Sequence, residues 1–196
     1  MISFYKKNKL LFILIILTVL IFLISFFATA LFDKKTNTAI TNNIILFIHQ
    51  IKNGKYNFID SFNTELINTS LYILFIWLIG ISIIGIPIII FLYATKLFAI
   101  ILEITFLVKN IKITGIFFPF LYIIPKLLSI VIYFILLNHA IRFSIVLIKM
   151  LFFKKKYNLQ LITKRYIIML IIIELVSLIV MVIENLLIPK FFHFII

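Results

Sequence analysis

Ionisable residues inside apolar runs are the first candidates for chemistry in this sequence. Glu103, Lys126 and Glu174 each interrupt a long stretch of apolar side chains. Burying a charge in such surroundings is costly, so residues of this kind face other protein groups, pair with one another, or mark a path for protons or solutes. We expect all three near mid-depth, with Lys126 neutralising Glu103 or Glu174 between two helices. An ion pair that fixes helix packing and a solute path would both explain the pattern, although few polar residues are spaced to line a continuous path.

Patterns typical of catalysis and metal binding are missing from the sequence. It has no phosphate loop, no nucleophile elbow and no zinc-protease motif, and its three histidines are scattered over different segments. Cysteine is absent, which excludes disulfides and thiolate metal sites. We therefore expect a protein that is not an enzyme and has no cofactor.

The composition places these charges in a membrane protein. Hydrophobic residues make up 65% of the 196 residues and the mean hydropathy is +1.30, whereas a soluble domain has about 45–50% apolar residues. The formal net charge of +13 would suggest nucleic-acid binding in a soluble chain, but here the basic residues flank apolar runs. Membrane orientation and contact with anionic lipids explain that distribution better. The sequence thus predicts one all-α, polytopic membrane domain over residues 1–196, with membrane lipids rather than nucleic acid as partners, and leaves homo-oligomerisation open.

Long apolar runs predict about five transmembrane helices. The runs are Leu10–Phe32, Thr69–Thr95, Phe98–Val108 extended through Ile111–Phe120, Ile116–Leu137 and Tyr166–Ile188. About 20 apolar residues in a helix cross a hydrocarbon core of roughly 30 Å. Charges bound the third run, so a re-entrant hairpin over residues 97–115 is an alternative to a crossing. Ala28-Thr29-Ala30 resembles a signal-peptide cleavage site, but the length of the preceding run favours a retained span.

The second run has an unusual centre, made of small residues and a proline: Gly80, Ser82, Gly85 and Pro87. Small residues allow another helix to approach closely, and a proline removes a backbone donor. We therefore expect the Thr69–Thr95 helix to bend or break between Ile83 and Pro87 and to pack against a neighbour near Gly80, with Trp77 one turn earlier. Pro125 interrupts the fourth run in the same manner.

Residues 33–68 form the only sizeable polar region and are predicted to lie outside the cytoplasm. Apolar residues recur there at helical spacing: Ile40, Ile44, Phe47 or Ile48, and Ile51. This spacing predicts a short amphipathic helix on the outer membrane surface or across the mouth of the bundle. The following piece, Tyr56–Leu66, is interpreted either as a connecting loop or as a docking surface for an extracellular partner. Its candidate contacts are Phe58, Asp60, Phe62 and Glu65.

Basic residues predict the orientation of the chain. Lys154–Arg165 holds five basic residues and no acidic one, and three more lysines lie within the first nine residues. Because short basic loops stay in the cytoplasm, we expect the N-terminus inside and the C-terminus outside.

The stretch from Trp77 to Pro87, WLIGISIIGIP, with Tyr72 before it and Lys96 after it, resembles the signature span of the stage II sporulation protein M family. A basic N-terminal tail, an outer segment with Phe residues, the span at Ile124-Pro125 and a stretch from Arg142 to Lys149 agree in outline. The resemblance covers most of the chain, and its specific part is the WxxGxSxxGxP pattern.

What this resemblance implies is a non-enzymatic scaffold of the cell membrane. Such a scaffold would join and localise peptidoglycan-degrading partners similar to stage II sporulation proteins D and P, during engulfment in sporulation. A transporter or permease subunit is the alternative, because a broken helix and intramembrane charges suit a translocation path.

Overall fold

A computed structural model describes residues 9–82, 84–109, 117–154 and 156–190. Within these residues the protein is built from α-helices and has no β-strand. The helices are α1 (Lys9–Leu31), α2 (Lys34–Lys52), α3 (Phe58–Gly80), α4 (Gly85–Lys109), α5 (Phe117–Leu151) and α6 (Leu159–Val182). A π-helical turn, Ile183–Leu187, continues α6, and residues 188–190 are again helical.

Five of these helical stretches are long and apolar enough to cross a membrane. They are Lys9–Thr29, Phe58–Gly80, Gly85–Lys109, Phe120–Leu151 and Leu159–Lys190. Many large apolar side chains on their surfaces are exposed, among them Phe27 and Phe91, which suits contact with lipid rather than water. The prediction of an all-α, multi-pass membrane bundle is confirmed.

The bounds predicted for the second span are wrong. Thr69–Thr95 is not one helix: α3 ends at Gly80 and α4 begins at Gly85, so the small residues form a turn between two spans. Pro87 lies in the first turn of α4, where its missing N–H leaves no hydrogen bond unmade. The apolar run reads as continuous because the turn residues Ile81 and Ile84 are themselves apolar.

Two other boundaries differ from the predictions. Tyr56–Leu66 is not a loop, because α3 begins at Phe58 and already belongs to a span. The third run starts earlier than expected, since α4 is one continuous helix to Lys109, without a re-entrant turn in its described residues. Residues 110–116 lie outside the described part of the chain. Helix α5 continues through Pro125, whose side chain is fully buried.

Helix α2 lies across the mouth of the bundle. Its residues Phe47, Ile48 and Ile51 pack with Tyr56, Leu107 and Tyr122, which come from the following loop, α4 and α5. The helix ends at Lys52, and Gly54 adopts a left-handed conformation with a φ of 65° that favours glycine. The predicted amphipathic helix therefore covers one end of the bundle through its apolar stripe.

The spans run alternately up and down, with α4 and α5 at the centre. Helix α4 packs against α1, α3 and α5, while α5 also packs against α3 and α6. The bundle thus has two ends, which we name for their contents. The α2 face carries α2, the starts of α3 and α5, and the ends of α1 and α4. The basic face carries the turn between Gly80 and Gly85 and the loop with Lys154 and Lys156.

The turn between α3 and α4 is held tightly against α5. Ser144 Oγ donates to the carbonyl oxygen of Gly80 at 2.6 Å and approaches that of Ser82 at 3.2 Å. A Cβ atom on Gly80 would lie 3.1 Å from Ala140 Cβ, so the helices approach closely there. On Gly85, a Cβ atom would lie 2.1 Å from the carbonyl oxygen of Ile79. The turn therefore depends on having no side chain at these two positions.

We expect Gly85→Ala to destabilise the protein by about 1–3 kcal/mol, because the backbone of α3 would have to move. SDS-induced unfolding of the purified protein in mixed micelles measures this free energy. Ile84→Ala is the matched control, since the Ile84 side chain is 78% exposed. Equal stability of the two variants would contradict the close packing described for this turn.

Candidate functional site

A buried ammonium group bridges three helical segments at the α2 face. Lys126 Nζ of α5 lies 3.1 Å from Glu103 Oε2 of α4 and also pairs with Glu184 Oε1 of the π-helical turn. The side chains of Lys126 and Glu184 are 11% and 4% exposed, whereas that of Glu103 is 42% exposed. The ammonium charge is thus balanced by two carboxylates of different accessibility.

The position and membership of this ion cluster differ from the sequence-based expectation. Glu103 lies six residues before the end of α4, and Lys126 nine residues after the start of α5. At 1.5 Å per residue, these positions lie roughly 9 and 14 Å from the α2 face rather than at mid-depth. Glu174 does not pair with Lys126, and Glu184 takes that place.

The π-helical turn brings two polar side chains into the bundle together. Glu184 and Asn185 are adjacent in sequence and both are buried. Asn185 Nδ2 donates to Glu65 Oε2 of α3 and to the carbonyl oxygen of Met181, the latter at 3.2 Å. A π-helical turn has more residues per turn than an α-helix and is frequent at functional sites. In the sequence, the only signal of this arrangement is the adjacent pair Glu184-Asn185, shortly before Pro189.

A polar cavity of about 560 Å³ opens beside the ion cluster. It lies under α2, and Asp60 and Thr64 on α3 are exposed at its rim, whereas Glu184 is buried in its wall. A smaller cavity of about 100 Å³ lies next to Glu103 and Lys126. Together the two cavities are lined by Asp60, Glu65, Glu103 and Glu184 and by Lys96 and Lys126. With all six groups ionised, the lining carries an excess of two negative charges.

Lys96 marks the deep end of the polar region. Its Nζ lies 5.5 Å from the ring centroid of Tyr72 and 5.6 Å from that of Tyr133. Towards the basic face, the next layer is apolar and almost fully buried: Ile73, Ile76, Ile89, Tyr93, Leu136 and Leu137. In the described residues the cavity therefore reaches the α2 face and is closed towards the basic face.

Aromatic hydroxyls complete the lining. Tyr122 Oη donates to Glu103 Oε1 at 3.1 Å, and Lys126 Nζ lies 5.1 Å from the centroid of the Tyr122 ring. Tyr56, in the loop before α3, also lines the larger cavity. Burial raises the pKa of Tyr56 above its usual value of 10.0, so this phenol stays neutral at physiological pH. Both phenols offer oxygen atoms to a polar ligand.

Glu174 forms a separate site between α3 and α6. Ser70 Oγ donates to its Oε2 at 3.1 Å, while Oε1 is buried without a hydrogen-bond partner in the described residues.

Trp77 and Gly80, predicted for helix packing, lie near the basic face. Trp77 stacks on Tyr166 with centroids 5.3 Å apart, and its carbonyl oxygen accepts from Tyr166 Oη at 2.9 Å.

The residues predicted for partner docking do not form one exposed surface. Asp60 is exposed, but Glu65 turns inward to Asn185. Phe58 and Phe62 are half-buried, and Phe58 packs edge-on against Tyr56 with ring centroids 5.0 Å apart. Two of the four residues, Asp60 and Glu65, line the cavity.

Fold and site together define a multi-pass membrane bundle with a charged cavity at one end. Comparison with protein-family models, with curated proteins and with solved structures finds no match to this chain. In the described residues, no group of three or more His, Asp or Glu side chains is arranged to hold a metal ion.

We expect Lys126→Met to destabilise the protein by about 3–5 kcal/mol, because it leaves Glu184 buried without a counter-charge. The free energy of unfolding in mixed micelles measures the loss. Adding Glu184→Gln removes the uncompensated charge, so the double variant should be more stable than Lys126→Met alone. Lys149→Met, on an exposed side chain of α5, is the control and should change stability by less than about 0.5 kcal/mol. A Lys126→Met variant as stable as this control would contradict the described ion cluster.

Proposed function

We propose that this protein is the membrane subunit of a transport system and binds a small cation in the cavity under α2. The observation that carries this proposal is the ion cluster of Lys126, Glu103 and Glu184. Glu184 lies in the wall of the open cavity, and Lys126 and Glu103 line the smaller cavity next to it. Ionisable residues inside membrane bundles are costly and commonly belong to substrate or ion pathways. A role in helix packing alone would not require an open cavity beside the charges.

The charge of the lining supports a cationic ligand. Four carboxylates and two ammonium groups line the two cavities, and Lys126 neutralises only part of the negative charge. Asp60 is exposed at the rim, where an entering cation would meet it first, and Glu65 lines both cavities further in. Inorganic cations and compact protonated amines match this chemistry and the size of the cavity.

The apolar layer beneath Lys96 supports a binding site rather than an open channel. A ligand held there reaches the basic face only after α3, α4 and α5 rearrange or a partner subunit opens a path. Transporters of this kind expose their site to one side at a time.

We further propose that the α2 face is extracytoplasmic, with the N-terminus in the cytoplasm and the C-terminus outside. The basic face carries Lys9, Lys149, Lys154, Lys156, Lys164 and Arg165 without an acidic residue in the described part of the chain. The α2 face, in contrast, carries acidic residues as well as lysines. Short basic loops remain in the cytoplasm, which supports this orientation.

Single cysteines in this cysteine-free chain test the orientation. In intact cells, Lys55→Cys should react with a membrane-impermeant maleimide and Lys156→Cys should not, because the two exposed lysines lie at opposite faces. Both positions should react after the membrane is permeabilised. Labelling of Lys156→Cys alone in intact cells would show the opposite orientation. Labelling of both positions would contradict an odd number of spans between them.

Charged thiol reagents test the cavity and its preference for cations. Thr64→Cys lines the cavity, and Asn63→Cys is an exposed neighbour outside it. We expect the ratio of cationic to anionic methanethiosulfonate labelling rates to be roughly tenfold higher at position 64, which corresponds to about 1.4 kcal/mol. Glu65→Gln should lower that ratio, and millimolar methylammonium or putrescine should slow the labelling. Equal ratios at both positions, without protection by either amine, would contradict cation binding.

We propose a membrane scaffold for peptidoglycan-degrading partners as the second candidate function. It is supported by the resemblance to the stage II sporulation protein M family and by exposed apolar side chains at the α2 face, such as Leu46 and Ile59. Purification from cells in a mild detergent distinguishes the two functions. Cell-wall hydrolases that are lost with Ile59→Ser but retained with Glu184→Gln would favour the scaffold, whereas an associated ATPase would favour the transport subunit.

A further inference from the structure

A second cavity, of about 440 Å³, lies between α5 and α6 near the basic face. Its polar lining includes Arg142, Arg165 and His139. Its apolar lining includes Phe143, Ile168 and Met169. The groove therefore combines two guanidinium groups with an apolar wall, which is the chemistry of an anionic amphiphile rather than of a soluble anion.

Contacts with α3 place these arginines at the end of the membrane span. Tyr166, which follows Arg165, donates to the carbonyl oxygen of Trp77 in the last turn of α3 at 2.9 Å. Ser144, two residues after Arg142, donates to the carbonyl oxygen of Gly80, where α3 ends. The 23 residues of α3 span about 34 Å, which fits a hydrocarbon core of roughly 30 Å. Both arginines thus lie at the depth of lipid headgroups.

The two guanidinium groups have no acidic partner in the part of the chain that the structure describes. Arg142 Nε donates to Asn138 Oδ1 at 3.0 Å, which leaves its terminal amino groups available. The ion pairs within the described residues all belong to Lys126, at the opposite end of the bundle. Arginine forks bind phosphate oxygens through two parallel hydrogen bonds. An anionic phosphate would therefore find two unneutralised forks at the same depth.

Deeper in the membrane the groove is apolar. Helix α6 runs from the basic face into the bundle, so Ile168 and Met169 lie one turn deeper than Arg165. Ile168 is 44% exposed, as expected for a surface that contacts lipid chains. We propose that this groove binds one anionic phospholipid of the leaflet at the basic face. Arg142 and Arg165 hold its phosphate, and an acyl chain lies along Ile168 and Met169.

This inference is independent of the proposed transport function, because the groove and the charged cavity lie at opposite ends of the bundle. Basic pockets between transmembrane helices recognise anionic headgroups. Lys154 and Lys156, in the loop beyond the groove, add a general attraction to an anionic surface, but they do not line it. That difference provides a matched control.

Native mass spectrometry of the full chain in a non-ionic detergent tests the proposal. The probes are phosphatidylglycerol and phosphatidylcholine with the same acyl chains, together with soluble glycerol 3-phosphate. We expect one phosphatidylglycerol to bind at least tenfold more tightly than either of the other two. R142Q/R165Q should weaken that binding roughly tenfold to thirtyfold, whereas K154Q/K156Q should retain it.

Folding of each variant is checked by its thermal transition in the same detergent. Ile168→Trp, which fills the apolar part of the groove and keeps both arginines, should also weaken lipid binding. Unchanged phosphatidylglycerol binding in folded R142Q/R165Q would overturn the proposal. Equal binding of glycerol 3-phosphate would overturn it too, because the site would then recognise a free phosphate ester rather than a lipid.

Discussion

The structure depends on neutralising one ammonium group inside a membrane bundle. An unpaired lysine in a transmembrane helix costs about 2.5–3.5 kcal/mol on insertion scales, so Lys126 requires carboxylates at contact distance. Glu103 and Glu184 meet that need only if α4, α5 and the π-helical turn converge at the same depth. The ion cluster therefore fixes the relative heights of these segments and keeps a polar cavity at the α2 face.

The opposite half of the bundle is held by close packing instead of charge. The absence of side chains at Gly80 and Gly85 lets α3 turn sharply into α4, and Ser144 hydrogen-bonds to the carbonyl oxygens exposed by that turn. A layer of fully buried residues, made of Tyr93 and aliphatic side chains, lies between this turn and Lys96. One end of the bundle is thus polar and open, and the other is apolar and closed, which is the asymmetry expected of a one-sided binding site.

The positively charged side chains lie in three different kinds of surroundings. Lys126 is buried and paired, and Lys154 and Lys156 in the loop beyond α5 are exposed. Arg142 and Arg165 lie at the end of the span where α3 ends, with no acidic partner among the described residues. The net charge of +13 is therefore a sum over groups in different surroundings and does not describe one uniformly basic surface. Its distribution along the membrane normal decides which groups pair with protein, which meet lipid and which face water.

Local pattern in the sequence determined the helical class, the number of spans and the amphipathic character of α2, because apolar length and helical periodicity are encoded within single segments. It also indicated that Lys126 needs a carboxylate, and Glu103 is one of its two partners. Only the tertiary structure decided where the run at residues 69–95 divides, since hydropathy cannot distinguish an apolar turn from an apolar helix. It likewise decided that Glu184 rather than Glu174 completes the cluster, because the choice between two carboxylates on one helix depends on how that helix is rotated and wound against its neighbours.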